Sequence, residues 1–250
     1  MRRIILSILA VAALVLSAAP APAETGNSAS ASAAVMSTYM WRGLRLSEGV
    51  VVQPSVDFNY GAFNMNMWAN YDADTNAEDY PEDGSVVNEL DVTLAYALPL
   101  EALDVSVGYI YYSVLGTDTQ EAYVSASKGL GPVTPYVNFY YDYDLGTGSY
   151  TQAGLDYSSQ LSENLSLSLG GYVSYLAYNK VVGSTEADGE YKDMHNAEVS
   201  VALAYTAGDL SIEPMVAYTF PLSDAAEEAM TDGKGDDSHV YGGVTVGLGF

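Results

Sequence analysis

Ten acidic residues stand at positions that strand alternation aims to one side: Asp57, Asp72, Glu89, Asp91, Asp104, Glu121, Asp142, Asp156, Glu198 and Glu213. Carboxylates gathered on one surface with almost no cations among them attract cations. They cannot be packed dry, because each buried charge would need a partner or a proton. Arg42 is predicted on the same side, near one rim, as a salt-bridge latch for these acids or as part of a constriction. The candidate selectivity residues of a hydrated interior are therefore Asp57, Glu89, Asp91, Asp104, Asp142, Asp156, Glu198, Glu213 and Arg42. The alternative is a merely polar, solvated interior.

Other chemistries are poorly supplied. A hydrolase needs a nucleophile, a base and an orienting group together. The two histidines, His195 and His239, fall near strand ends, with Asn196 and Ser238 beside them in sequence. Adjacent strand residues point to opposite faces, so neither neighbour is placed to form a dyad. The two are predicted to be rim histidines with no catalytic role, and the chain is not expected to be an enzyme. There is no Gly-x-Ser-x-Gly elbow and no cysteine, so neither that nucleophile nor a cysteine metal cluster is available. In "DADTNAEDYPEDG", residues 72–84, Asp72, Asp74 and Asn76 match the first ligand positions of a calcium loop. Ala77 stands where that loop needs glycine, so a solvated acidic loop is expected, with no metal and no cofactor.

The elements that must position these residues follow a period of two. In "VVQPSVDFNY", Val52, Pro54, Val56, Phe58 and Tyr60 share one face, and Val51, Gln53, Ser55, Asp57 and Asn59 the other. "FNMNMWANYD" repeats the alternation from Phe63. About ten alternating residues exceed the common globular strand of about 5–6 and match the 9–11 or so that cross a bilayer. Twelve such segments are predicted: 30–41, 50–60, 63–72, 87–98, 104–113, 121–128, 132–143, 150–158, 165–176, 194–205, 210–220 and 239–250. Short links alternate with mostly longer, polar ones, among them "VLGTDTQ" at 114–120. This describes an all-β fold, a transmembrane antiparallel up-and-down barrel of about twelve strands, with both termini on the short-turn side.

Aromatics test the assignment. On the apolar face they close the strands at one rim with Tyr39 and Trp41, Tyr71, Tyr109, Tyr141, Tyr175 and Tyr218, and at the other with Tyr60, Tyr96, Tyr157, Tyr205 and Phe250. Two such rings are the membrane girdles of an outer-membrane barrel. Trp41, Tyr60, Tyr71, Tyr96, Tyr141, Tyr205 and Phe250 are the girdle residues so assigned. Pro54, Pro135 and Pro214 lie inside strands, where each removes a ladder donor, and local bulges are the expected remedy.

The start fits export. Arg2 and Arg3 precede an apolar run and Ala21-Pro22-Ala23, so residues 1–23 read as a signal peptide and 24–250 as the barrel. Without that leader 6 basic residues face 32 acidic ones, a net charge of −26, which repels nucleic acid. A barrel closed edge to edge needs its last strand to pair with its first, which accounts for a chain that stops on Phe250. This ending resembles the C-terminal signal of outer-membrane proteins, and that resemblance implies reading by the barrel-assembly machinery.

Residues 37–72, "STYMWRGLRLSEGVVVQPSVDFNYGAFNMNMWANYD", resemble the start of the bacterial TorF-type (Gcw_chp) family of porins. Ser37, Tyr39, Trp41-Arg42-Gly43, Gln53, Asp57 and Trp68 carry the likeness. It implies an outer-membrane barrel that acts as a porin, and supplies no substrate or catalytic set. The combined expectation is a passive outer-membrane channel for small solutes whose acidic lumen favours cations, with membrane lipid and lipopolysaccharide around it. The alternatives are a closed structural or surface-binding barrel and an outer-membrane lipid hydrolase.

Overall fold

The computed structural model describes residues 27–72, 87–114, 116–178, 191–232 and 234–250. Its strands are β1 (Asn27–Met36), β2 (Met40–Trp41), β3 (Leu44–Arg45), β4 (Val51–Tyr60), β5 (Phe63–Asp72), β6 (Val87–Leu98) and β7 (Asp104–Val114). They continue with β8 (Thr117–Ser127), β9 (Val133–Asp142), β10 (Gly148–Ser162), β11 (Leu165–Tyr178), β12 (Tyr191–Ala207), β13 (Leu210–Pro221) and β14 (His239–Gly249). One short helix, α1 (Asp224–Met230), precedes β14. All the strands except β2 and β3 close into one twelve-stranded antiparallel barrel. The seam joins β14 to β1, with Ser30 opposite Gly249 and Met36 opposite Gly243. Ala29 and Phe250 exchange two backbone hydrogen bonds of 2.9 Å, so the final residue completes the closure.

Alternation places the side chains as the residue pattern requires. The outward face exposes apolar groups all round the barrel, including Phe58, Leu94, Val137, Leu155, Val199 and Val216. At the short-turn end Tyr60 and Phe63 are prominently exposed, and Phe63 packs on Tyr96 with ring centroids 4.8 Å apart. Tyr141, Tyr175 and Tyr218 ring the opposite end, also exposed. The inward face carries small polar groups and tyrosines. Tyr123 lies flat against the wall over Gly108 on the neighbouring strand, where a Cβ would overlap its ring. Tyr136 does the same over Gly154. Glycine at these two positions lets the rings hug the wall and leaves the lumen unfilled.

The prolines fall where one ladder is already interrupted. Pro54 keeps its register with Ala33 on β1, while the β4–β5 pairing jumps from Val52–Tyr71 to Ser55–Trp68. Pro214 stays opposite Val244, while the β12–β13 pairing jumps from Ala202–Met215 to Tyr205–Ile212. Pro135 is paired to Leu155 on β10, beyond the last β8 partner, Ser127–Tyr136. Each missing N–H therefore costs a bond on one side only.

Two expectations are corrected. β1 ends at Met36, not at residue 41, because the chain turns inward there. The link expected at 114–120 is mostly ladder, since β7 reaches Val114 and β8 begins at Thr117. The leader at 1–23 and the acidic loop beyond Asp72 lie outside the described residues.

Candidate functional site

The segment from Thr38 to Gly49 folds back into the barrel as a hairpin. Trp41 pairs with Leu44 and Met40 with Arg45 around the central residues Arg42 and Gly43. Their φ values, 51° and 82°, are both positive, which is the two-residue turn whose twist suits adjoining strands. Only glycine adopts such a φ without cost, and Gly43 also sits where a Cβ would press on Asn196 and on the methyl of Met230 at 3.0 Å. The base of the hairpin is tied by Leu46 N–H to Tyr39 C=O at 2.8 Å and Tyr39 N–H to Ser47 Oγ at 2.7 Å.

Arg42 at the tip grips the far wall. Its Nη1 and Nη2 donate to Glu121 Oε1 and Oε2 at 2.8 and 2.7 Å, a bidentate pair. Both side chains are nearly inaccessible, 9% and 2% exposed, so the pair is desolvated. The guanidinium carbon lies 4.5 Å from the Trp41 ring centroid, 4.9 Å from Tyr140 and 4.7 Å from Tyr150, in cation–π range of all three. Tyr112 Oη donates to Glu121 Oε2 at 3.0 Å, and Arg42 reaches Tyr178 Oη at 3.2 Å. The hairpin is also held from above. Arg45 pairs with Asp232 at 3.0 Å, just past α1, whose residue Met230 packs at Gly43. Ser223 caps α1 and donates its Oγ to Met194 C=O at 2.8 Å, fixing the helix to β12.

β12 carries a local irregularity that matters here. Val173 faces Ala197 while Tyr175 faces Met194, so Ser174 alone opposes both His195 and Asn196. This is a β-bulge, and it buries both side chains inside the barrel. Strict alternation, which sends these neighbours to opposite faces, does not hold at this point. His195 Nε2 lies 2.9 Å from Arg42 C=O and Nδ1 lies 2.9 Å from Tyr191 Oη. Asn196 accepts from Ser174 Oγ at 2.6 Å and Tyr150 Oη at 3.1 Å, and donates to Tyr172 Oη at 3.2 Å and Thr219 Oγ1 at 3.1 Å.

The predicted acids divide by height. Glu89, Glu121 and Asp142 are buried around the hairpin. Asp142 accepts from Thr119 Oγ1 at 2.9 Å, and the Tyr39 hydroxyl meets the Glu89 carboxylate. Glu198 accepts from Tyr241 Oη at 2.9 Å. Asp91 is half-buried, and its Oδ1 is enclosed without a hydrogen-bond partner among the described residues. Asp57, Asp104, Asp156 and Glu213 lie nearer the short-turn end and keep more solvent contact. Trp41 is not a girdle residue. It stands inside the barrel, its ring 6.5 Å from that of Tyr112, because β1 stops before reaching it. Tyr39 has likewise moved inward and lies 5.4 Å from Trp68. Alternation missed the whole hairpin. The available signal was Arg42-Gly43 between apolar neighbours, where Met40 breaks the pattern at a position expected to be polar.

Space remains on both sides of the hairpin. A cavity of about 330 Å³ lies between it and the β4–β7 wall, lined by Tyr39, Trp41, Trp68, Asp91 and Tyr112 among others. One of about 260 Å³ lies on the opposite flank, under Arg42, Tyr140, Tyr150 and Gln152. A third, about 410 Å³, is lined by Asn66, Thr93, Ser125 and Asn138 and shares Asn66, Thr93 and Ile110 with the first.

The fold is a closed twelve-stranded barrel whose interior is narrowed by its own first inward loop. No known family matches the chain by sequence, and no curated relative does either. Solved structures do share the fold. A porin named NanC is 12% identical, with a TM-score of 0.53, over 89% of this chain and 98% of that one. An outer membrane channel from Pseudomonas putida F1 is 11% identical, with a TM-score of 0.54, over 94% of this chain and all of that one. These likenesses show the twelve-stranded barrel as the common fold.

Proposed function

We propose that the protein is a passive channel of the bacterial outer membrane for small cationic and neutral solutes, narrowed by the Thr38–Gly49 hairpin. The observation that carries this reading is the pairing of a closed barrel, apolar on its outer face, with a polar interior that keeps open volume beside the hairpin. Residues 1–23 act in it as the export signal, and the strand ending at Phe250 as the element the assembly machinery reads. Outer-membrane lipid and lipopolysaccharide contact the apolar face. Membership of the TorF-type family belongs to the same proposal and rests on residues 37–72. The inward acids bias the lumen toward cations, because low-dielectric walls focus their field.

The test is single-channel conductance of the refolded protein in a planar bilayer under a KCl gradient. Steady current with a cation-selective reversal potential is expected, and Asp57→Asn with Asp91→Asn should move that potential toward zero. Unchanged selectivity in the double variant removes the role of these acids. A sealed bilayer, with folding confirmed separately, leaves a closed barrel that displays binding loops. His195 is poorly placed for the hydrolase reading: Nε2 faces the Arg42 C=O of the hairpin and Nδ1 the Tyr191 hydroxyl of its own strand, so both ring nitrogens are engaged.

A further inference from the structure

The cavity on the β4–β7 side of the hairpin has the composition of an organic-cation site. Trp68, Asp91 and Tyr112 form one inward row across β5, β6 and β7, with Asp91 opposite Trp68 on one side and Tyr112 on the other. The hairpin lays Tyr39 against Trp68 and Trp41 against Tyr112, with centroids 5.4 and 6.5 Å apart. The result is two aromatic pairs with one carboxylate between them, lining an open cavity of about 330 Å³. Tyr241 also lines it, and Asn66 and Thr93 are shared with the neighbouring cavity.

Asp91 is what gives the box a charge preference. Its Oδ1 is enclosed yet accepts no hydrogen bond among the described residues, and no described lysine or arginine pairs with it. Arg42, on the same hairpin, is already neutralised by Glu121. A carboxylate oxygen without a donor costs free energy unless it takes a proton or a ligand supplies positive charge, and a cationic ligand favours the charged form. Aromatic faces supply the complementary surface, since their quadrupoles attract a diffuse cation that has little hydration to lose.

We propose that Tyr39, Trp41, Trp68, Tyr112 and Asp91 form a binding site for a small organic cation carrying an ammonium or trimethylammonium group. The inference rests on the channel reading for its purpose, as a station for solutes on their way through the lumen, but not for its test.

Trp41 and Trp68 are the only tryptophans of the chain and both line this cavity, so emission excited where tyrosine does not absorb reports on it. The experiment titrates choline into the refolded protein in a maltoside detergent, which carries no ammonium group. Its neutral isostere, 3,3-dimethylbutan-1-ol, is the paired probe. Choline should change the emission saturably while the alcohol does not, and Asp91→Asn should weaken the response by roughly tenfold. Folding of each variant is checked by heat-modifiable gel mobility. If Asp91→Asn fails to fold, Trp68→Leu replaces it and should weaken choline binding as read from Trp41. Equal responses to choline and the alcohol, or wild-type choline affinity in the variant that folds, overturn the site. Binding in micelles together with a sealed bilayer defeats the channel reading alone. Current without a choline response defeats the site alone.

Discussion

Arg42 and Glu121 are separated by 79 positions and meet across the lumen in a bidentate pair shielded from water. Removing one partner of such a pair strands the other charge in a low-dielectric setting. Arg42→Ala should therefore cost about 3–5 kcal/mol of unfolding free energy, read from urea titration in micelles. Arg42→Lys should recover little of it, because an ammonium cannot make the planar fork or stack on Trp41, Tyr140 and Tyr150 together. Asp232 is a different kind of contact. Backbone N–H groups of Asp236 and Lys234, and then Arg45, hold its carboxyl down at about 2. Its tie to Arg45 is thus fully present above the ordinary carboxylate value of about 4 and is lost only as pH falls through about 2. A carbon-detected NMR titration should show that midpoint, and a midpoint near 4 would mean that the backbone N–H bonds of Asp236 and Lys234 do not hold the carboxyl.

At the scale of elements, the hairpin and the bulge depend on each other. The bulge in β12 turns His195 inward to hold Arg42 C=O and Asn196 inward to meet Gly43. Met230 on α1 closes the third side. Replacing residues 39–46 by a short Gly-Ser link leaves every barrel ladder intact, because β2 and β3 pair only with each other. The expected result is a folded barrel whose single-channel conductance exceeds that of the parent. Equal conductance would show that the hairpin does not set the narrowest section. Gly43→Ala should act in the same direction more weakly, since a Cβ there is both strained by φ and crowded by Asn196 and Met230.

For the whole molecule, closure is the property on which the rest depends. Ala29 and Phe250 bond reciprocally, and β14 pairs with β1 on one side and β13 on the other. Deleting Phe250 removes both of those backbone bonds and one apolar anchor at the short-turn rim. Refolding into vesicles, followed by heat-modifiable mobility, should be slower and less complete for the deletion than for the parent. An unchanged yield would assign closure to the remaining ladder. A net charge of −26 without the leader adds a field over the entire barrel, so part of any cation preference is expected to fade as salt rises and screening shortens its reach.

The sequence by itself determined the barrel. Each strand has to bury nothing but its own backbone polarity, with an apolar side chain outward and a polar one inward, and that rule is local enough to be written in every second residue. It placed Asp57 inward, Phe58 outward, and Phe250 at the closing seam. Only the tertiary structure decided the constriction. Tyr39 and Trp41 continue the alternation of β1 in the sequence, but their partners, Trp68 and Tyr112, stand on other strands across the lumen. Arg42 finds its carboxylate on β8, and His195 turns inward because one residue of β11 faces two of β12. Contacts made across a closed barrel carry no period along the chain, so the site appears only once the twelve strands have met.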